Sequence, residues 1–214
     1  ESYQMFNISD MNCYKLSGQY PKKNLYTEDM KNKLILCIDL KKANFQALKH
    51  VNKDIVNNAE TYEDFIGGYS NIPYFIESKY NRQVIFGKLN PSRQITVERF
   101  LLEKVHKIII EMMKLDFELF NFGNDELMYF ANNDIQQHFM ERIEKDIPLL
   151  VETELGIKVK ATFIMVEPIK FLMGNGQTLT IFKRNNMLDG KFKLMTCPVS
   201  YMPQVLRLLK GEKI

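Results

Sequence analysis

Three acidic residues occupy positions that indicate cation-dependent chemistry. Asp39 follows the apolar run at residues 34–38, and Asp125 and Glu126 are adjacent at the tip of a predicted hairpin. A carboxylate at the end of a buried strand is costly unless it has a partner or a function. Two neighbouring carboxylates repel each other unless a cation or a base neutralises them. The acids therefore indicate a metal site, although Asp and Glu are also common in solvated turns.

The hairpin is predicted from the sequence FELFNFGNDELMYF at residues 117–130. Side chains alternate over residues 117–122, as in a strand, so Phe120 and Phe122 are expected on the same face. Gly123 and Asn124 form the predicted turn, because both residue types tolerate a positive φ. After the turn, the apolar run resumes and predicts the second strand.

A central strand is predicted at residues 34–38, LILCI, because every position is apolar. Residues 41–49 follow with apolar residues at helical spacing. The sequence therefore places Asp39 between a buried strand and a helix, at the strand's carboxyl end.

A basic segment lies between these two acidic regions. Lys79, Arg82, Lys88 and Arg93 are interleaved with aromatic residues over residues 78–99. This composition suits phosphate contact combined with base stacking. It is equally typical of a solvated amphipathic helix followed by a turn, and the sequence leaves both interpretations open.

The remaining periodicities predict an α+β fold. Residues 95–115 and 134–155 have helical spacing, and residues 159–169 read as a strand. The resulting β-α-β-β-α-β order predicts a ferredoxin-like or RRM-like domain, with a four-stranded antiparallel sheet and helices on one face.

The predicted organisation is one main domain with a small appendage. The domain covers residues 1–170, with an N-terminal segment at 1–33 along the edge of the sheet and a basic insertion at about 68–95. Two short strands and a last helix within residues 171–214 form the appendage.

The order of these features resembles the palm of template-directed polymerases. Asp39 matches the first metal-binding Asp of that family, and the N-D-E at residues 124–126 matches its later acidic hairpin. The hairpin resembles those of family A and family Y DNA polymerases, and of tRNA-His guanylyltransferase-like and diguanylate-cyclase-like enzymes. It differs from the Y-x-D-D of reverse transcriptases. Residues 82–87 are similar in order and type to the basic helix with F-G of family A.

The resemblance implies a nucleotidyltransferase that uses two Mg²⁺ or Mn²⁺ ions. The implied metal ligands are Asp39, Asp125 and Glu126, together with the carbonyl oxygen of Leu40. Phe45 is expected to stack on the sugar of the nucleotide, with a core position as the alternative.

The implied partners are nucleoside triphosphates and DNA or RNA. The residues expected to bind the triphosphate and the nucleic acid are Lys79, Arg82, Lys88 and Arg93.

Composition narrows the class of protein. The chain has 214 residues, 45% hydrophobic residues and a net charge of +3, which fits a globular domain and is compatible with a nucleic-acid partner. No Walker-type, dinucleotide-binding, zincin or serine-hydrolase motif is present. The three cysteines are scattered, which predicts a reducing, cytoplasmic location with the nucleus as an alternative. No apolar run approaches membrane-spanning length, so no membrane partner is expected. The first residue is Glu, which is compatible with a segment of a larger polypeptide or complex.

Three other functions remain open at this point. The same fold can present aromatic residues to single-stranded nucleic acid without catalysis. A palm that has lost its activity can serve as a binding or assembly subunit. A synthase of cyclic or small nucleotides is the third, because GNDEL at residues 123–127 resembles G-G-D-E-F with one glycine replaced.

Overall fold

The computed structural model describes residues 1–114 and 116–211, and it combines helices with one antiparallel sheet. The helices are α1 (Ser2–Ile8), α2 (Ala43–Val51), α3 (Tyr62–Gly67), α4 (Pro73–Glu77), α5 (Lys79–Gly87), α6 (Pro91–Ile108), α7 (Gln137–Leu155) and α8 (Met202–Leu209). The strands are β1 (Leu34–Leu40), β2 (Glu118–Phe122), β3 (Glu126–Phe130), β4 (Val159–Leu172), β5 (Thr178–Asn186) and β6 (Phe192–Met195). The mixed α and β character expected from the sequence is confirmed.

The sheet has six strands in the order β2-β3-β1-β4-β5-β6, so the prediction of a four-stranded sheet is wrong. The reason is the length of β4, which continues for 14 residues. Its first half pairs with β1 and its second half pairs with β5. The expected domain boundary at residue 170 falls inside β4, and the division into two domains remains a prediction.

Strand β1 is buried on both faces, as its unbroken apolar sequence predicts. Leu36 and Ile38 pack with the helices on one face of the sheet, in the main core. Ile35 and Cys37 belong to a second, smaller core on the opposite face. By the period of two, Asp39 shares this second face with Cys37.

The N-terminal segment runs along the edge of the sheet, as expected. The N–H of Phe122 donates to the carbonyl of Pro21 at 2.8 Å, and the N–H of Lys23 donates to Phe120 at 3.2 Å. These bonds cover the outer edge of β2. The start of the chain, which the sequence also allowed as a strand, forms the short helix α1 instead.

The hairpin is confirmed, but it contains a bulge that the sequence did not indicate. The pairing of β2 with β3 shifts between Leu119 and Asn121. As a result, Phe120 stacks on Phe130 in the second core, whereas Phe122 packs in the main core. The expectation that Phe120 and Phe122 share a face is therefore wrong, because the extra residue reverses the alternation.

The hairpin turn requires Gly123 for a reason other than its φ. Neither Gly123 nor Asn124 has a positive φ. Gly123 donates its N–H to the carbonyl of Glu126 at 2.8 Å, and a Cβ at this position would lie 2.9 Å from that oxygen. A side chain here would open the turn that precedes β3.

Helix α6 is longer at its start than predicted, because Pro91 takes the first helical position. A π-helical turn, Ile109–Met113, continues it, and Leu115 of the predicted helix lies outside the described residues. Within residues 1–114 and 116–211, no helix is both long and apolar enough to span a bilayer.

A buried carboxylate of α6 fastens the N-terminal segment to the helices. Glu103 is 3% exposed, and its Oε1 accepts hydrogen bonds from the Ser17 N–H, the Ser17 hydroxyl and the Tyr20 hydroxyl. The distances are 2.7–2.8 Å. Burial alone would raise the pKa of Glu103, but these donors and Lys107 outweigh it and lower the pKa.

We expect Glu103→Gln to reduce the free energy of unfolding by about 1–3 kcal/mol at pH 7, because the replacement loses charge-assisted hydrogen bonds inside the protein. A carboxylate with a lowered pKa stabilises the fold above its unfolded pKa and loses this effect as the pH falls. Urea unfolding at pH 7 and pH 3.5 should therefore show a smaller difference at the lower pH. Glu111→Gln, at an exposed position, is the control. Equal stability of Glu103→Gln and wild type at pH 7 would contradict this account.

Candidate functional site

Asp39 lies opposite another acid within the sheet. In the pairing of β1 with β3, Asp39 is directly across from Glu126. In the pairing of β1 with β4, it is directly across from Lys160. Residues paired in this way share a face of the sheet, so Asp39 has a carboxylate neighbour on one side and an ammonium neighbour on the other.

Asp125 is held beside the same strand end by the main chain. It directly precedes β3, and its carbonyl oxygen accepts the N–H of Leu40 at 2.8 Å. Shortly after Leu40, Lys42 adopts φ 54° and ψ 50°, a left-handed conformation that is uncommon for a residue with a side chain. This sharp turn ends β1 and begins α2, and it leaves Asp39 and Asp125 at the same end of the sheet.

The electrostatics of Asp39 show that its negative charge is not fully compensated. Part of its side chain reaches solvent, but surrounding protein atoms, followed by the charges of Glu126 and Asp125, raise the pKa of Asp39 to about 6. Lys79 and Arg184 act in the opposite direction and do not cancel this effect. The three acids therefore interact as the sequence predicts.

Glu126 has a cation partner that the sequence did not reveal. Arg184 of β5 donates from Nη2 to Oε1 of Glu126 at 2.6 Å, and both side chains are about four-fifths buried. Cys37 lies close by, and burial together with the charge of Glu126 raises the pKa of its thiol well above the usual range. The thiol is therefore a core group at neutral pH rather than a nucleophile.

A fourth acid, Glu98 of α6, acts at the same place and was also missed. Glu98 is 5% exposed, and burial followed by the charge of Asp125 raises its pKa to about 7. One sequence signal could have found it. Gln94, Val97, Glu98 and Leu101 have the i, i+3, i+4, i+7 spacing of a buried helix face, where a carboxylate is unexpected.

Among the basic candidates, Lys79 is the one whose charge acts on the acids. It is exposed at the start of α5 and lowers the pKa of Asp39, although burial and the two neighbouring acids outweigh it. Arg82 is half-buried, with its guanidinium 5.6 Å from the ring centre of Tyr62. Lys88 follows the far end of α5, about 14 Å along the helix axis from Lys79. The structure therefore brings Lys79, but not Lys88, to the acids.

Two predicted binding residues have structural contacts instead. Phe45 is 2% exposed and packs against Tyr62, Phe65 and Phe86, so its ring is a core element. Arg93 donates to the carbonyl and the hydroxyl of Ser9 and lies 5.5 Å from the ring centre of Phe6. These contacts of Arg93 hold α1 against α6. Neither position supports the expected role in binding a nucleotide.

The largest groove, of about 910 Å³, lies apart from these four acids, because none of them lines it. Lysines surround it, but most of them are paired with glutamates. Lys42 pairs with Glu63, and Lys49 and Lys53 both pair with Glu60. The groove is therefore a region of local ion pairs behind the end of β1.

The acids can be tested against the requirements of Mg²⁺. Within the part of the chain that the structure describes, no three side chains of the His, Cys, Asp and Glu types form a group that could hold a metal ion. Mg²⁺ does not need such a group, because it is commonly bound through one or two carboxylates, with water and substrate phosphates completing the octahedron. Asp39 and Asp125 meet this smaller requirement, whereas Glu126 is engaged by Arg184.

Comparison of the chain with protein-family models gave no match, and comparison with curated proteins gave none either.

The raised pKa of Asp39 leads to a pH-dependent prediction. In the folded protein Asp39 binds its proton more readily than in the unfolded chain, so its contribution lowers stability as the pH rises from about 4 to 6. Asp39→Asn removes this effect. We expect the variant to gain stability over wild type across this range, by about 1 kcal/mol or less because solvent screens the exposed part of the carboxylate.

The measurement is urea unfolding without divalent cations at several pH values between 4 and 8. Asp134→Asn, at an exposed loop position, should leave the profile unchanged. A loss of stability in Asp39→Asn at pH 8 would show that Asp39 has a compensating partner.

Proposed function

We propose that this protein is a nucleotidyltransferase of the polymerase-palm type, which transfers a nucleotidyl group with the help of two divalent cations. One observation carries the proposal. Asp39 and the acids of the hairpin meet at one end of the sheet, and their mutual repulsion is strong enough to raise the pKa of Asp39 to about 6. A site with excess negative charge suits divalent cations.

The topology around the acids supports the same proposal. Four neighbouring strands have the order β4-β1-β3-β2, with helices in the β1–β2 and β3–β4 connections. This is the strand arrangement of the ferredoxin-like fold expected for a palm. In this interpretation β5 and β6 extend the palm, and they contribute Arg184 to the site.

Each side chain has a distinct role in the proposed reaction. The divalent cations, Mg²⁺ or Mn²⁺, would activate the attacking hydroxyl and neutralise charge on the phosphates. Asp39 and Asp125 hold these cations, and the carbonyl oxygen of Leu40 remains a predicted further ligand. Glu126 is fixed by Arg184 and supplies negative charge at the site. Lys79 is placed to meet the triphosphate.

Exposed aromatic residues support a nucleic-acid partner. Tyr74 and Tyr80 are 63% and 69% exposed, on α4 and α5, in the same segment as Lys79. Single-stranded nucleic acid binds such surfaces by stacking bases on the rings and pairing phosphates with cations. DNA or RNA is therefore the proposed second substrate, with nucleoside triphosphates as the first.

We expect Asp125→Asn to reduce nucleotide incorporation at least about 100-fold, because the replacement keeps the shape of the side chain and removes a cation-binding charge. The assay should supply each NTP and dNTP with Mg²⁺ or Mn²⁺, with and without a primer–template. Asp134→Asn is the matched control and should keep wild-type activity.

Thermal unfolding separates loss of catalysis from loss of folding. Wild type should gain stability when Mn²⁺ and a nucleotide are added, and Asp125→Asn should gain less. If wild type neither incorporates nucleotides nor responds to metal, the nucleotidyltransferase proposal fails. If wild type binds nucleic acid under those conditions, the remaining interpretation is an inactive palm that acts as a binding subunit.

We expect Lys79→Ala to weaken binding of a nucleoside triphosphate about three- to tenfold at low salt, since an exposed lysine contributes mainly through its charge. The difference should shrink between 50 and 500 mM salt. Binding is measured by the fluorescence of a labelled triphosphate, and Lys145→Ala, at an exposed position on α7, is the control. An identical loss at every salt concentration would assign Lys79 a role other than charge.

A further inference from the structure

A buried carboxylate without a hydrogen-bond partner faces the acids from the helix layer. Glu98 is 5% exposed, and within residues 1–114 and 116–211 no group donates a hydrogen bond to it. The charge that acts on it is that of Asp125. A buried acid that is neither hydrogen-bonded nor paired is rare in folded proteins and indicates an ion, a water molecule or a function at that place.

Packing fixes where Glu98 points. Val97 and Leu101 of the same helix are fully buried in the main core, on the face of the sheet that carries the helices. Glu98 lies between them in α6, and α6 contacts β3, the strand that Asp125 precedes. The carboxylate therefore approaches the hairpin tip from the helix layer, whereas Asp39 lies on the opposite face.

We propose that Glu98 and Asp125 together bind one of the divalent cations of this site. The inference rests on the proposed function, because it uses the same acidic site, and it changes the ligand set expected from the sequence. Glu126, the predicted third ligand, is occupied by Arg184, and Glu98 takes its place. The cation is thus held between the sheet and α6.

The proposed site fits the chemistry of Mg²⁺ and Mn²⁺. Two carboxylates supply part of an octahedron, and water or substrate phosphate completes it. A cation there would also remove the cost of an unpaired buried acid, because its charge compensates both Glu98 and Asp125.

The experiment measures binding of Mn²⁺ alone, by the electron paramagnetic resonance signal of the free ion. Glu98→Gln keeps the size of the side chain and removes its charge. We expect it to weaken Mn²⁺ binding at least about tenfold, as Asp125→Asn should. Thermal unfolding checks that each variant is folded.

Glu103→Gln is the matched control, because Glu103 is a buried glutamate of the same helix with three hydrogen-bond donors of its own. We expect it to lower the melting temperature and to keep Mn²⁺ affinity within about twofold of wild type. Glu98→Gln should show the reverse pattern, with Mn²⁺ affinity lost and the fold retained.

A second measurement does not depend on any variant. Fe²⁺ with ascorbate and peroxide cleaves a main chain close to the bound metal. Wild-type protein loaded with Fe²⁺ should be cut near residues 98 and 125, and excess Mg²⁺ should suppress both cuts. Cleavage near residue 125 without cleavage near residue 98 would overturn the assignment of Glu98.

The outcomes separate this inference from the proposed function. If Glu98→Gln binds Mn²⁺ as wild type does and Asp125→Asn does not, Glu98 is a protonated core residue and the nucleotidyltransferase proposal stands. If wild type binds no Mn²⁺, with or without nucleotide, both proposals fail. Loss of Mn²⁺ binding in Glu98→Gln and Asp125→Asn, with binding retained in Glu103→Gln, supports the shared site.

Discussion

The pairing of Asp39 with Glu126 across β1 and β3 places two like charges opposite each other in the sheet. Such a pair destabilises a sheet unless something compensates it. The register cannot shift by one residue to relieve the repulsion, because that shift would turn the buried face of β1 towards the wrong core. The apolar run of the central strand therefore determines where the acids lie.

Compensation is unequal among the acids, and this inequality defines the site. Glu126 has a close partner in Arg184, which comes from β5. Asp39 retains a pKa of about 6, and Glu98 is buried with a pKa of about 7 beside Asp125. The strands beyond the predicted four-stranded sheet are thus part of the electrostatics of the site. A shortened chain ending near residue 170 would lose the arginine that holds Glu126.

The sequence predicted elements whose cause is local. The apolar run of β1, the hairpin and the last helices follow from periodicity and turn residues, and the structure agrees closely with them. Asp39 and Asp125 were found in the same way, as acids at the ends of strands. Features that depend on distant partners were missed. The bulge in β2, the two-sided pairing of β4, and the partnership of Arg184 with Glu126 have no local signature.

Residues of the basic segment show the limit of composition as evidence. Lys79, Arg82, Lys88 and Arg93 look equivalent in the sequence, yet the structure gives them different neighbours. Arg93 is engaged by Ser9, and Lys79 acts on Asp39. Helix geometry alone separates Lys79 from Lys88. A charged residue could be assigned to the site only after the packing of its helix was known.

The position of β1 also has a consequence for how the chain folds during synthesis. Ile35 pairs with Phe130 on one side and with Ile164 on the other, so the central strand is made long before either neighbour. Until then, its run of apolar residues has no strand to join, and such segments are prone to aggregation. The helices α2 to α6 are the first elements that can cover it, and they reach one face only. Nascent chains that stop between residues 40 and 125 should therefore be the ones that depend most on chaperones.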